Sequence, residues 1–186
     1  MIEIRNIKIS LKIDSLPLNI AISILSNKNI PCRDHFNFIS FKNQGFTFVL
    51  FKPSKNGYSH INITKITKGK DIARSGDIVK NLFKCSIVNS KIDNIVATDN
   101  LDATLDLKNI TKSKIFENIK YNSEQFPGLF VKFPVGTAII FHSGKFVVVG
   151  CKNTADVKWI SNTIYAGIQK QLMMKKKGNV CALNAA

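Results

Sequence analysis

The sequence predicts an α+β protein made of two tandem, pseudo-symmetric copies of one unit. Their strands join into one long antiparallel sheet with all the helices on a single side. Two observations predict this: an internal repeat at near-constant offset, and the same layout in each copy. The segment Phe126 to Phe141 has a partner in Phe36 to Phe51, and both ends register at an offset of 90 residues. Asn6-Ile7 matches Asn94-Ile95 at 88, and Leu16-x-Leu18 matches Leu105-x-Leu107 at 89. Within the pair of segments, Lys42 lands on Lys132 and Thr47 on Thr137. Self-similarity of this kind is the signature of a duplicated structural unit. The copies span residues 1–88 and 89–174, and a Lys-rich tail follows over 175–186.

The second copy is the easier to read. Lys91 to Thr98 begins as a strand. Asp106 suits a helix N-cap, because its carboxylate accepts the free amides of the first turn, and the helix is expected to run through about Phe116. Leu129–Phe133, Thr137–Phe141 and Phe146–Val149 are short segments rich in β-branched and aromatic residues, with Pro134-Val-Gly136 and Ser143-Gly144-Lys145 as turns. From Thr154 onward, Val157, Ile160, Ile164 and Ile168 recur at helical spacing. In the first copy Pro17 takes the place of Asp106 and also suits a first helical turn. Asp71 to Phe83 supplies the second helix, with Ile72, Ile78, Val79 and Leu82 on one face. A sheet covered by helices on one side should be polar on the other. Here the second face is apolar as well, which fits a binding surface, a second core layer or a dimer interface.

Composition narrows the partner. Of 186 residues 45% are hydrophobic and 21% charged, a globular balance, and Lys+Arg 27 against Asp+Glu 12 leaves a net charge of +15. Almost all the positive charge is lysine, since arginine occurs only at positions 5, 33 and 74. Such an excess attracts polyanions, either nucleic acid or an anionic membrane. The four cysteines, Cys32, Cys85, Cys151 and Cys181, form no CxxC pair and lie far from one another, as expected for free thiols in a reducing compartment rather than zinc ligands. No uncharged stretch reaches the roughly 18 residues of a membrane span. Asp99, Asp102 and Asp106 precede or cap a helix, and no histidine sits beside a nucleophile in a recognisable motif. The reading is of a soluble intracellular binding protein, with no cofactor, no metal and no catalysis of its own.

Asn94-Ile-Val-Ala-Thr98, Leu105-Asp-Leu-Lys108, Phe126-Pro-Gly-Leu129, Ile140-Phe-His-Ser-Gly-Lys145 and Val149-Gly-Cys-Lys152 resemble, in order, the C-terminal repeat of the TATA-binding protein family. The first copy is more divergent, although Asn6, Phe36, Phe51 and Thr64 fall where that family's first repeat has its own functional residues. The resemblance implies a saddle: a curved ten-stranded antiparallel sheet with four helices on the convex face and DNA held in the minor groove by the concave one. It further implies that Phe126 with Phe141, and Phe36 with Phe51, wedge into base steps at the two ends of the site. Asn6 and Asn94 would meet base acceptors near the centre, with Val96 and Val147 on the groove floor and Thr64 and Ser143 also on the DNA face. Lys132, Lys145 and Lys152, with Lys42 and Lys55 as first-copy counterparts, would meet phosphates.

Departures from the family pattern are visible too. Val149 replaces a threonine, Lys8 stands where a valine is expected, and the hairpin between the wedge phenylalanines is shorter in both copies. Implied partners are A·T-rich double-stranded DNA, transcription factor IIB-like and IIA-like factors, with Glu124 as an acidic docking residue for the former, and the RNA polymerase machinery. The protein would act as a monomer on DNA, away from membranes, in a nucleus or, for a virus, its replication compartment. Two other functions stay open on the residues: a nucleic-acid module of the same fold without promoter specificity, and a protein-interaction factor that sequesters initiation factors.

Overall fold

The computed structural model describes residues 1–183, with side chains for residues 1–170. Of the Lys-rich tail expected over 175–186, the side chains and the last three residues lie outside the described residues. Among the described residues are ten strands and four helices, and the strands are hydrogen-bonded in the order β2-β3-β4-β5-β1-β6-β10-β9-β8-β7. The chain divides into two compact units, Ile4–Ile95 (the first unit) and Met1–Glu3 with Val96–Ala186 (the second unit).

The first unit contains β1 (Glu3–Asp14) from Ile4 onward, α1 (Leu18–Asn27), β2 (Cys32–His35), β3 (Phe38–Asn43), β4 (Phe46–Phe51), β5 (Tyr58–Ile66), α2 (Lys70–Phe83) and the start of β6 (Ile87–Asn100). Strict alternation decides the faces. In β1 Ile7, Ile9, Leu11 and Ile13 are buried, while Asn6, Lys8, Ser10 and Lys12 between them point the other way. Ile9 and Leu11 pair with Ile63 and Ile61 of β5, so two strands deliver one apolar layer to the helices. Ala21 and Leu25 of α1, and Ile78, Val79 and Phe83 of α2, close the core from above. Pro17 stands at the N-cap of α1, where its carbonyl accepts the Ala21 amide at 3.1 Å. The β3–β4 turn, Gln44-Gly45, has both residues at positive φ (47° and 87°), the two-residue geometry whose twist matches a hairpin.

The second unit contains the end of β6, α3 (Leu107–Lys112), β7 (Ile119–Lys120), β8 (Leu129–Phe133), β9 (Gly136–Ile140), β10 (Lys145–Cys151) and α4 (Thr154–Leu183). Asp106 caps α3 as its sequence position predicts, accepting the Asn109 amide at 3.0 Å. The helix ends at Lys112 rather than running to Phe116. Thr111 and Ser113 turn their hydroxyls back onto the Lys108 and Ile110 carbonyls at 2.6 and 2.7 Å, and Lys114 takes a left-handed φ of 52°. Phe116 then folds back under α4, where Gly167 leaves room for its ring; a Cβ there would stand 2.8 Å from it. In α4 the predicted stripe of Val157, Ile160, Ile164 and Ile168 is buried. Tyr165 donates its hydroxyl to the Asn100 carbonyl at 2.7 Å, tying the helix to the end of β6. Reading residues alone finds one strand and then a meander of three per copy. The structure adds the short edge strands β2 and β7, of four and two residues, which a periodicity argument is too coarse to see.

Candidate nucleic-acid interface

In the first unit, the face away from the helices is built from alternate residues of β1, β5, β4 and β3. Ser10 is opposite Asn62, Thr47 opposite Thr64 and Val49 opposite Asn62. Asn6 is held by the backbone: its side-chain oxygen accepts the Lys65 amide at 2.7 Å, at the bulge where β1 and β5 shift register and Lys65 has a φ of 66°. That bond leaves the Asn6 amide N–H groups, both donors, for a partner beyond the strands. Thr64 is half-buried, and the Thr47 hydroxyl across from it has no hydrogen-bond partner among the described residues. Asn94, half-buried on β6, also belongs to this unit.

Charge enters the same face through Lys8. Its ammonium lies 3.6 Å from the Asp93 carboxylate, and Lys91 lies 3.3 Å from that carboxylate's other oxygen. The Ser10 hydroxyl touches Asp93 and stands 2.8 Å from the Asn62 side-chain oxygen. Burial alone would push the Asp93 carboxyl up, but the Ser10 hydroxyl, then Lys91 and Lys8, outweigh it and hold the group below the ordinary carboxylate value.

The second unit presents a different surface. Val147 and Val149 of β10 are opposite Ile139 and Thr137 of β9, and Val96 is half-buried on β6. At the end of these strands Phe126 and Phe141 form a tilted pair with centroids 6.0 Å apart, and Phe130 lies 5.2 Å from Phe126. Phe126 is 39% exposed. Gly128 makes the pair possible: a Cβ there would be 2.6 Å from the Phe126 ring and 3.1 Å from that of Phe141. Lys132, Lys145 and Lys152 are exposed, as is Ser143 in the turn where the Gly144 amide donates to the Phe141 carbonyl at 3.0 Å. Glu124 is exposed in the turn before Phe126, its amide donating to the Asn122 side-chain oxygen at 3.1 Å.

The aromatic tip of the first unit is assembled differently. Phe36 and Phe51 are not stacked. The ring beside Phe51 is Phe38, with centroids 5.7 Å apart, and His35 stacks on Phe38 at 4.5 Å. Phe36 stands out, 83% exposed at a φ of 52°, with the Lys52 ammonium 4.0 Å above its ring. The cause is one substitution within the repeat. At the offset of 90 residues, Phe38 occupies the position of Gly128, so its bulk fills the space that the partner of Phe51 would need. Phe38 is the functional candidate that sequence reasoning missed, although the same offset carried the signal. Lys42, opposite Thr47, and Lys55 are exposed.

Other chemistry is sparse. Burial, helped by Asp14 and Asp156 respectively, pushes the Cys85 and Cys151 thiols up, which keeps them protonated at neutral pH. Among the described residues no three His, Cys, Asp or Glu side chains are grouped to hold a metal ion, and no helix is long and apolar enough to cross a membrane.

A family model described as Transcription factor TFIID (or TATA-binding protein, TBP) matches residues 89–171. The solved structure of Methanococcus jannaschii TBP is similar over 91% of this chain and 98% of its own, with a TM-score of 0.71 and 25% identity. The sequence match to the TATA-binding protein family thus lies in the second repeat, and the fold as a whole matches that of a TATA-binding protein. Among sequence relatives, the TATA-box-binding protein of Pyrodictium occultum is 47% identical over 87 residues, 43% of each chain. That of Schizosaccharomyces pombe is 41% identical over 104 residues, 54% of this chain and 44% of its own. The sequence match thus spans less than half the length of these family members, whereas the structural match spans nearly all of one.

Proposed function

We propose that this protein is a transcription initiation factor that binds A·T-rich duplex DNA in the minor groove and bends it. The observation that carries the reading is the Phe126–Phe141 pair beside Gly128, an exposed aromatic edge held at the end of an open apolar strand face. Insertion of apolar wedges between base steps is a recognised minor-groove device, for which the TATA-binding protein is itself a standard example. A planar ring replaces part of the stacking that a kinked step loses. The valines Val96, Val147 and Val149 suit a groove floor that, over A·T pairs, carries acceptors and no amino group. The Asn6 amide donors match those acceptors, and Asn94 and Thr64 extend the same polar line. Exposed Lys132, Lys145 and Lys152, with Lys42, Lys55 and Ser143, fit phosphate contacts, which position the duplex without reading it. A net charge of +15 supplies the long-range attraction.

In the first unit the wedge passes to Phe38 with Phe51, and Phe36 lies outside that stack. On this reading the protein works with DNA, in the nucleus where a cell has one, and Glu124 faces a transcription factor IIB-like partner. The experiment is binding and end-to-end fluorescence transfer on a short duplex containing a TATA element and on a G·C-rich control, at physiological salt. A bend confined to the A·T-rich duplex is the expected result; equal binding without bending contradicts the proposal.

A further inference from the structure

Three oxygens of the first unit converge on its open face: Ser10 Oγ, a side-chain oxygen of Asn62 at 2.8 Å from it, and a carboxylate oxygen of Asp93 in contact with it. Between them they have a single hydroxyl proton. When Ser10 gives that proton to the carboxylate, the Asn62 oxygen is left as an acceptor without a donor from Ser10. Asp93 is 20% exposed and Lys8 39%, so the cluster is half-buried yet reachable. Lys8 and Lys91 pair with the two carboxylate oxygens of Asp93, at 3.6 and 3.3 Å.

The second unit differs at the corresponding strand positions. At matched repeat positions Val96 stands for Lys8, Thr98 for Ser10, Val147 for Asn62 and Val149 for Thr64. Minor-groove chemistry gives this asymmetry a meaning. Over A·T and T·A pairs the groove shows only acceptors, against which a carboxylate and an amide oxygen are mismatched. A G·C pair adds one donor, the guanine N2 amino group. An apolar valine floor buries that donor unpaired, at a cost; an acceptor cluster satisfies it.

We infer that the two repeats read different base pairs: the Ser10–Asn62–Asp93 cluster accepts the guanine N2 amino group, so that the preferred element is asymmetric, with a G·C pair admitted in the half-site beneath the first repeat and excluded beneath the second. This rests on the minor-groove reading above. It gives the bound protein a direction along the DNA, because turning it end for end would bring the guanine onto the valines.

The test uses the full chain and an A·T-rich duplex that it binds. Each base pair is replaced in turn by G·C and then by inosine·cytosine, which lacks the N2 amino group, and affinity is read by fluorescence anisotropy. In one half-site G·C should weaken binding about tenfold and inosine·cytosine should restore it. In the other half, at one position, G·C should be tolerated within about twofold and inosine·cytosine should bind more weakly than G·C. Asn62→Ala and Asp93→Ala should each abolish that guanine–inosine difference and leave the opposite half-site unchanged. A profile in which inosine·cytosine matches or exceeds G·C at every position overturns the inference while the minor-groove reading survives. Failure to bind any A·T-rich duplex overturns both.

Discussion

The two units share a fold and differ in how their open faces are finished. The second has an apolar floor of Val96, Val147 and Val149 ending in a paired aromatic tip, Phe126 with Phe141, made possible by Gly128. The first has a floor with Lys8, Ser10, Asn62 and Asp93 in contact, and a tip where the ring beside Phe51 is Phe38 and Phe36 stands exposed. The buried faces tell the opposite story: Ile7, Ile9, Ile61 and Ile63 in one unit, Ala97, Ala138, Phe146 and Val148 in the other, all buried and all apolar. Helix-facing positions are constrained by packing within the chain itself. Open-face positions escape that constraint, and it is there that the two units differ in chemical character, charged and polar in one and apolar in the other.

The sharpest way to break the comparison is at the second tip. Phe126→Ala with Phe141→Ala should abolish bending by fluorescence transfer while some salt-sensitive binding persists; a retained bend sinks the wedge assignment. Gly128→Val should act in the same direction, because its first added carbon already meets the Phe126 ring at 2.6 Å and forces the pair apart. At the first tip the order of effects is diagnostic. Phe38→Ala should weaken binding by about 1–3 kcal/mol, the range for losing an aromatic–base stack, whereas Phe36→Ala should cost much less. The reverse order in a titration of both variants would restore Phe36 as the wedge.

Smaller effects sharpen the account further. Lys132→Ala should reduce the slope of log affinity against log salt by about one and leave sequence preference unchanged. Asp106→Ala should destabilise the fold by about 1 kcal/mol, through loss of the α3 cap, without touching the open face. Asp93 has a defined pH signature. Its folded pKa lies below the usual value, so its contribution to stability is present above the unfolded carboxylate pKa of about 4 and is lost as pH falls through the folded value. The melting-temperature difference between the protein and Asp93→Asn should therefore be constant near neutral pH and shrink in acid.

Much of this was legible in the sequence, for a physical reason. Periodicity is written by burial, so the α4 stripe could be read directly, as could the Asp106 cap from its place before the helix. The end of α3 could not, because it depends on Thr111 and Ser113 choosing backbone carbonyls over solvent. Nor could the arrangement of the first tip: matching like residues across the repeat pairs Phe36 with Phe51, whereas the ring that lies beside Phe51 is Phe38, at the repeat position of Gly128. The Asp93 cluster was hidden because its members come from three strands, β1, β5 and β6, and only the register brings them together.

The measurement that reaches the central claim most directly is end-to-end fluorescence transfer on an A·T-rich duplex, comparing the protein with the Phe126→Ala, Phe141→Ala variant. The protein should bend the duplex, and the variant should bind it without a bend. Equal transfer from both proteins, or no change in transfer on binding, would contradict it.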